Sequence, residues 1–342
     1  MKQIITVAMI LLVFAALCQA NPALSDGFDG RIDQGLLALY QGNYDQAFET
    51  YDSIIRDHPG NPAGYFLKAG AYQLKSMAHE TEAWDEKYNA CLDSTMKLSE
   101  AAIAANKDDA WAFFFRGGTY AYRAARAARR ASYLSALSNG LSALSDLNRA
   151  LELDPKLYDA YLGIGSYHYF RTKATSIIKW LPFIGDARDK GIEEIKRAIA
   201  SGRFSKVTAQ NGLLWIYIDY GKYDQAVELG LQLEKEFPLN HVFFWSVPEA
   251  YWRSRRWDKA AEHYASLLRL VDASRPLNNF NRVEIKYRLA KCLLELGKNQ
   301  EAARQAREAI ELPLDDESAR RLQGDRRRAQ DVMFAAEKRM KK

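Results

Sequence analysis

The sequence has few of the residues from which catalytic and metal sites are built. Its 342 residues include five histidines and three cysteines, and no two histidines stand three or four positions apart, as ligands on one helix face would. It also lacks the glycine-rich loop that binds phosphate and the Gly-x-Ser-x-Gly turn that carries a nucleophilic serine. These absences favour a protein that is not an enzyme and that uses neither a cofactor nor a metal ion.

The chain also has no large excess of positive or negative residues. The formal net charge is +5, from 48 Lys and Arg against 43 Asp and Glu, which is too small for this length to indicate nucleic acid as a partner. The remaining composition, with 48% apolar and 27% charged residues, is typical of a folded globular chain.

A long hydrophobic run occurs only at the amino terminus. The segment Ile4–Leu17 is almost wholly apolar, follows a basic residue and precedes small residues at both ends of the tripeptide 18–20. This pattern predicts a signal peptide over residues 1–20, cleaved after Ala20. The run is shorter than the roughly 20 residues of a spanning helix, which disfavours a retained anchor. Leu17 stands where a lipoprotein signal needs a small residue, which disfavours lipid on Cys18. We expect an exported chain, periplasmic or secreted.

One six-residue pattern occurs twice. Residues 42–47 read Gly-Asn-Tyr-Asp-Gln-Ala and residues 221–226 read Gly-Lys-Tyr-Asp-Gln-Ala. A looser copy, Trp257–Ala260, follows the second after a step of 34 residues. Self-similarity at this period is typical of a solenoid built from helical hairpins.

These units resemble tetratricopeptide repeats. That family has a small residue at repeat position 8 and alanine at position 20, where the two helices of a hairpin cross, and Gly and Pro at positions 15 and 32, where the helices end. In the first unit these positions hold Gly35, Ala47, Gly42 and Pro59. The resemblance implies an all-α, right-handed α-solenoid of about seven hairpins over residues 28–316. The units start near residues 28, 62, 110, 158, 207, 241 and 283.

The three central units are longer than the others. They occupy 48, 48 and 49 residues instead of 34, and fourteen residues correspond to about four helical turns. No proline interrupts the additional length of units two and three, so we predict two elongated hairpins. In unit four the apolar segment 177–185 contains Pro and Gly and predicts a loop or short helix. Residues 21–27 are a predicted linker, and the basic residues 317–342 are a predicted capping helix or tail.

A solenoid brings together neighbouring units, and residues far apart in sequence rarely touch in it. We therefore predict that Cys91 and Cys292 are two separate buried thiols. The first helix of unit six contains Pro248, which predicts either a kink or a helix that begins near Glu249.

In the tetratricopeptide family the first helix of each unit lines a concave face that binds a peptide or a partner helix. Carried over to this sequence, those positions imply an unusually aromatic groove, with the alternative that some of the rings fill the hairpin cores instead. The residues assigned to the groove are Trp111, Phe114, Tyr169, Trp215, Trp245, Glu249, Trp252 and Arg253.

Two further surfaces are candidates for contact. Arg123, Arg126 and Arg130 share one face of a predicted helix, which is either a solvated face or a contact for an anionic surface such as phospholipid headgroups. In the 177–185 loop, the large apolar side chains either pack beneath their own hairpin or touch a membrane or partner. The residues concerned are Trp180, Phe183 and Ile184.

The sequence thus predicts a protein–protein interaction scaffold or adaptor of the bacterial envelope, with a protein or peptide partner and no nucleic acid. The alternative is a membrane-proximal structural envelope protein that contacts lipid or a polyanion through the arginine face and the 177–185 loop. Neither the partner's identity nor the oligomeric state follows from the sequence.

Overall fold

The computed structural model describes residues 26–175, 185–275 and 277–341. The predicted signal peptide, most of the predicted linker and residues 177–184 of the apolar loop, with Trp180, Phe183 and Ile184, lie outside the described residues. In the described ranges the regular secondary structure is helical throughout. None of the described helices combines the length and the apolar character needed to cross a membrane.

Sixteen α-helices follow one another within the described residues. They are α1 (Asp26–Tyr40), α2 (Tyr44–Asp57), α3 (Pro62–His79), α4 (Asp85–Ala105), α5 (Ala110–Arg129), α6 (Tyr133–Leu153), α7 (Ala160–Thr175), α8 (Arg188–Ser201), α9 (Lys206–Tyr220), α10 (Tyr223–Glu236), α11 (Ser246–Arg253), α12 (Trp257–Ala273), α13 (Asn279–Glu295), α14 (Asn299–Glu311), α15 (Asp316–Arg321) and α16 (Gln323–Met340).

Consecutive helices pair as hairpins. The pairs from α1–α2 to α13–α14 give seven hairpins, and α16 packs against α13 and α14 at the carboxyl-terminal end. The predicted all-α class with about seven hairpins is confirmed. The predicted elongation is confirmed too, because α3 to α6 have 18 to 21 residues whereas α1 and α2 have 15 and 14. In the fourth hairpin α7 and α8 have 16 and 14 residues, so its additional length lies between them.

The hairpins cross where small residues were predicted. A β-carbon on Gly35 would lie 2.4 Å from a ring carbon of Tyr51, and one on Gly117 would lie 2.9 Å from Leu147 Cγ. Tyr51 and Leu147 are fully buried at 0% and 1% exposure, so each fills the space that its glycine leaves. The twin sequence motifs begin with the turn glycine after α1 and α9, at a φ near +80° that a β-carbon disfavours.

The sixth hairpin begins with a break instead of a kink. A 3-10 turn at His241–Phe244 precedes α11, and Pro248 lies in the first turn of α11, where its missing N–H costs no intrahelical hydrogen bond. Of the two predictions for Pro248, the late helix start is the one observed.

The array closes on itself at the first and fifth hairpins. The Tyr40 ring lies 5.7 Å from Phe237 and 6.3 Å from Phe243 between centroids. Asn240 Nδ2 donates a 3.0 Å hydrogen bond to the Tyr40 carbonyl oxygen, and the Tyr40 and Thr208 hydroxyls are 2.9 Å apart. Residues 200 positions apart, such as Tyr40 and Asn240, are therefore in contact. The expectation that distant units rarely touch is wrong for this chain.

A second set of contacts closes the array at the end of α3. The Ala78 carbonyl oxygen accepts hydrogen bonds from His241, Asn278 and Asn281. Next to it, the Arg321 guanidinium donates to the carbonyl oxygen and the carboxylate of Glu80. The carboxyl-terminal end of α3 is thus the point where the second hairpin meets the last ones.

Closure does not bring the two described cysteines together. Cys91 and Cys292 are both buried and free, as predicted. Burial raises the pKa of the Cys91 thiol to about 11 and that of Cys292 to about 12, so neither is a reactive thiolate at neutral pH.

Candidate partner-binding surfaces

Several aromatic rings gather around α11 in the sixth and seventh hairpins. The Trp252 ring lies 5.5 Å from Trp257 and 6.3 Å from Tyr287 between centroids, both in edge-to-face arrangements. Trp245 packs against the same hydrophobic cluster, and all four side chains are half-buried. We call Trp245, Trp252, Trp257 and Tyr287 the tryptophan face. The rings of Trp252, Trp257 and Tyr287 hold one another in place, and part of each of the four side chains remains accessible.

A buried ionic network lies beneath the tryptophan face. Glu249 is 6% exposed, and its carboxylate accepts hydrogen bonds from Arg288, Tyr264 and Arg253, the last at 2.7 Å. Glu249 therefore does not offer its carboxylate to a partner, which corrects its assignment to the groove. Instead it orients Arg253, whose side chain remains 50% exposed beside Trp252.

A second carboxylate completes this network. Arg288 Nη2 donates a 2.6 Å hydrogen bond to Glu284 Oε1. Burial raises the pKa of Glu284 above its ordinary value, and the positive charge of Arg288 opposes that shift. The Glu249–Arg288 ion pair thus ties α11 to α13 across the hairpin boundary, and Glu284 holds Arg288 from within α13.

The other residues assigned to the groove do not form one continuous surface. Phe114 and Tyr169 lie in the core at 9% and 1% exposure, and Tyr169 donates a 2.8 Å hydrogen bond to Asp219. Trp111 is half-buried against Phe204, with ring centroids 6.1 Å apart. Trp215 on α9 is 38% exposed. For Phe114 and Tyr169 the alternative of ring packing in the core is the one observed, because neighbouring hairpins cover these positions.

The arginine face on α5 is paired with the preceding hairpin. Arg123 donates to Asp93 at 2.7 Å, and Arg130 donates to Asp85 at 2.7 Å. Arg126 forms an ion pair with Asp85. The face is thus neither a simply solvated surface nor a set of free cations. Sequence reasoning missed these acids because they lie on a different helix, 30 or more positions earlier.

Arg126 also lies over an aromatic ring. Its guanidinium carbon is 4.9 Å from the centroid of the Tyr88 ring. Desolvation lowers the pKa of Arg126 below its ordinary value, and the neighbouring cations add to that shift.

Two clefts flank the closure contact between Arg321 and Glu80. The larger, of about 610 Å³, lies between the end of α3, the start of α13 and the segment from the end of α14 into α15, with Lys75, His79, Trp84 and Phe280 in its wall. The smaller, of about 210 Å³, is lined by four arginines and three carboxylates. Sequence reasoning did not find either cleft, because both exist only once distant hairpins meet. Throughout the described ranges, no three His, Cys, Asp or Glu side chains are grouped as a metal ion would require.

Both ends of the closed array match a known family. Residues 32–88 and 249–319 match the tetratricopeptide repeat model. These two segments are similar to tetratricopeptide repeats. The second matched segment includes Trp252, Trp257 and Tyr287 of the tryptophan face, whereas the third, fourth and fifth hairpins lie between the two matched segments.

Solved structures with similar helical arrays share little sequence with this chain. A tetratricopeptide repeat protein from Parabacteroides merdae is 14% identical with a TM-score of 0.39, over 91% of this chain and 99% of its own. The carboxyl-terminal part of a repeat protein from Cytophaga hutchinsonii is 14% identical with a TM-score of 0.45, over 84% and 98%. The type IV pilus biogenesis factor PilW is 13% identical with a TM-score of 0.48, over 73% and 99%. A search of curated protein sequences found no significant match.

Proposed function

We propose that the chain is a non-enzymatic protein–protein interaction adaptor that binds a segment of a partner protein at the tryptophan face. The observation that carries this proposal is the position of Trp252, half-buried among Trp257 and Tyr287 and next to the half-exposed Arg253. Tetratricopeptide repeats, which this region matches, are used as extended binding surfaces.

The chemistry of the tryptophan face supports this function. Tryptophan, tyrosine and arginine are the residue types that dominate binding energies at protein interfaces, because they bury a large area at a small entropic cost. Here the rings of Trp252, Trp257 and Tyr287 contact one another, and Arg253 donates a hydrogen bond to Glu249. Because these side chains are already ordered, binding a partner costs little additional conformational entropy.

The matching partner segment is an extended peptide or an amphipathic helix that presents an apolar or aromatic side chain to Trp252. A carboxylate on the same segment would reach Arg253, which has exposed donors besides the Nε that it gives to Glu249.

The proposal extends to location. The apolar segment Ile4–Leu17 and the small residues of the following tripeptide support export to the bacterial envelope as a periplasmic or secreted protein. Cell fractionation and amino-terminal sequencing of the recovered protein test this part; a chain that stays in the cytoplasm with its first twenty residues attached would contradict it.

The binding part is tested by crosslinking and pull-down from envelope fractions with the wild type and the Trp245→Ala/Trp252→Ala double variant. We expect the variant to lose at least about tenfold in affinity for a partner that the wild type retains. Phe334→Ala is the matched control, since Phe334 is 62% exposed on α16 and lies outside the tryptophan face. If every partner remained bound to the double variant, the tryptophan face would not be the binding surface.

A further inference from the structure

Two of the five histidines lie where the end of α3 contacts the last hairpins. His241 Nε2 donates a 2.9 Å hydrogen bond to the carbonyl oxygen of Ala78, and His79 is the next residue of α3. The His79 ring is half-buried, with its centroid 5.6 Å from Trp84 and 6.3 Å from Tyr44. We call this contact the closure junction, and it comprises Ala78, His79, Glu80, His241, Asn281 and Arg321. One histidine thus stands on each side of it.

A lysine adds a permanent positive charge beside His79. Lys75 stands one helical turn earlier on α3, and its Nζ lies 5.0 Å from the centroid of the Trp84 ring. The carboxylate that pairs with Lys75 is Asp45 of α2, at 3.6 Å, and this side chain is 91% exposed. A long and solvated ion pair of this kind does little to offset the charge of Lys75 at the closure junction.

The carboxylates around the closure junction are engaged with other groups. Glu80 accepts a 2.6 Å hydrogen bond from Arg321, and Asp315, in the wall of the larger cleft, accepts from the Ser318 N–H. Other carboxylates of the surrounding helices are held in ion pairs, namely Asp85 with Arg126 and Arg130, Asp272 with Arg282, Glu249 and Glu284 with Arg288, and Glu317 with Arg321. Within the described ranges, no carboxylate forms an ion pair with either histidine or raises its pKa.

The junction therefore disfavours the charged form of both histidines. Burial lowers the pKa of His79 and of His241 below the ordinary value of 6.5. At His79 the positive charges of His241 and Lys75 add to the shift, and at His241 the hydrogen bond to Ala78 opposes it. The carboxyl end of α3 attracts cations, which acts against these shifts but does not reverse them.

We propose that the closure junction is an acid-sensitive conformational switch. With His79 and His241 neutral, the array is closed. When both are protonated, their charges and that of Lys75 repel one another, and the end of α3 separates from the sixth and seventh hairpins. The contact of Tyr40 with Phe237 is aromatic and remains in place, so the array opens at one point only.

The sign of this linkage follows from the direction of the two shifts. A histidine whose pKa is lower in the closed array than in an open one binds its proton more weakly there, so acid favours the open array. The closed state begins to lose stability as the pH falls below 6.5, and the loss is complete below the lowered pKa values.

Two other groups titrate in a similar range. Burial raises the pKa of Glu234 on α10 to about 7, so acid stabilises the folded chain there instead of weakening it. Next to Glu234, Lys235 and Glu236 are exposed. Burial lowers the pKa of His263 on α12, as it does at the closure junction, but this ring packs on Tyr251, 5.4 Å away between centroids. His263 is thus the matched control, because it has the same direction of shift and lies outside the junction.

Spin labels on the two sides of the closure junction test the proposal in the full chain. They are attached at Ala83→Cys, between α3 and α4, and at Leu277→Cys, between α12 and α13, in a Cys18→Ser background. Both positions are exposed, and the remaining described thiols are buried. The distance between the labels is measured at about pH 7.5 and at about pH 5.

We expect the distance in the otherwise unchanged protein to lengthen at the lower pH. In His79→Gln/His241→Gln it should stay the same at both pH values, because glutamine carries no charge and its amide can donate to Ala78 in place of His241. His263→Gln should lengthen as the wild type does. An unchanged distance in the wild type, equal lengthening in the double variant, or loss of the response in His263→Gln would overturn the proposal.

Amide hydrogen exchange gives a second readout that needs no label. Protection in the last turn of α3, corrected for the pH dependence of intrinsic exchange, should fall at least about fivefold in acid in the wild type and hardly at all in the double variant. Circular dichroism should show the same helix content at both pH values, and a general loss of helix in acid would overturn the proposal. If the double variant is already open at the higher pH, His79→Gln alone decides the question, since it keeps the hydrogen bond from His241. Its response to acid should be smaller than that of the wild type, and an equal response would overturn the proposal.

Discussion

The carbonyl oxygen of Ala78 accepts a 2.9 Å hydrogen bond from Asn281 Nδ2, which joins positions 203 apart in the chain. The same oxygen accepts from His241 Nε2 at 2.9 Å and from Asn278 Nδ2 at 3.3 Å. Because α3 ends at His79, the carbonyl of Ala78 belongs to the last helical turn, where carbonyl groups have no partner within the helix. Closure of the array thus satisfies an end of α3 with side chains from the sixth and seventh hairpins.

Asn281→Ala should weaken this closure. Asn281 is 1% exposed, so removing its amide group leaves a small cavity and removes one hydrogen bond. We therefore expect the free energy of unfolding to fall by about 1–2 kcal/mol. Urea unfolding followed by circular dichroism measures the change, with Asn148→Ala at an exposed position of α6 as the control. Equal stability of the two variants would mean that the contact contributes nothing to closure.

Arg321→Ala should weaken a second contact between the end of α3 and the last hairpins. Arg321 Nη2 donates to Glu80 Oε2 at 2.6 Å, and the guanidinium lies 4.4 Å from the centroid of the Phe280 ring. Both side chains are partly exposed, so the effect on global stability should stay below about 1 kcal/mol. The sensitive readout is amide hydrogen exchange in the last turn of α3, which we expect to become faster. Unchanged exchange there, with unchanged small-angle scattering, would show that the pair does not hold the junction.

The local rules of this fold could be read from the sequence. Gly35 was assigned to a helix crossing because the repeat pattern needs a small residue there, and it indeed faces the large side chain of Tyr51 on the second helix. The lengths of α3 to α6 follow from the spacing of the units, because uninterrupted helical sequence must extend the hairpin.

The closure and the makeup of the candidate site could not be predicted in the same way. The curvature of a solenoid is the sum of small rotations between neighbouring units, and no local pattern records that sum. Asn281 therefore looked like any polar helix residue, and Tyr169 occupied a groove position by register although neighbouring hairpins bury it. Trp252, by contrast, remains partly exposed in the closed array.

Gly165→Ala should be strongly destabilising. A β-carbon at Gly165 would lie 2.5 Å from the Gly191 carbonyl oxygen and 2.8 Å from Ile195 Cγ1, so α7 and α8 would have to move apart. We expect a net loss of about 1–3 kcal/mol, even though alanine favours the helical conformation by about 1 kcal/mol. Gly60→Ala is the control, since nothing lies within 4 Å of its β-carbon position. Thermal unfolding of the two variants decides the point; similar melting temperatures would contradict the close crossing.

Glu234→Gln should stabilise the protein, by an amount that grows as the pH rises from about 4.5 to about 7. Burial raises the pKa of Glu234 from its ordinary value of 4.5 to about 7, and its Oε1 is buried with no hydrogen-bond donor among the described residues. The unfolded chain therefore releases this proton at lower pH than the folded protein does, and stability falls as the pH rises from about 4.5 to about 7. The shift sets an upper bound of about 3 kcal/mol, which the partial exposure of the side chain reduces to about 1 kcal/mol. Glutamine has no charge to bury, so urea unfolding should show the variant more stable than the wild type near pH 8 and equal to it near pH 4. A constant difference at both pH values would mean that the shape of the side chain, and not its ionisation, determines the effect.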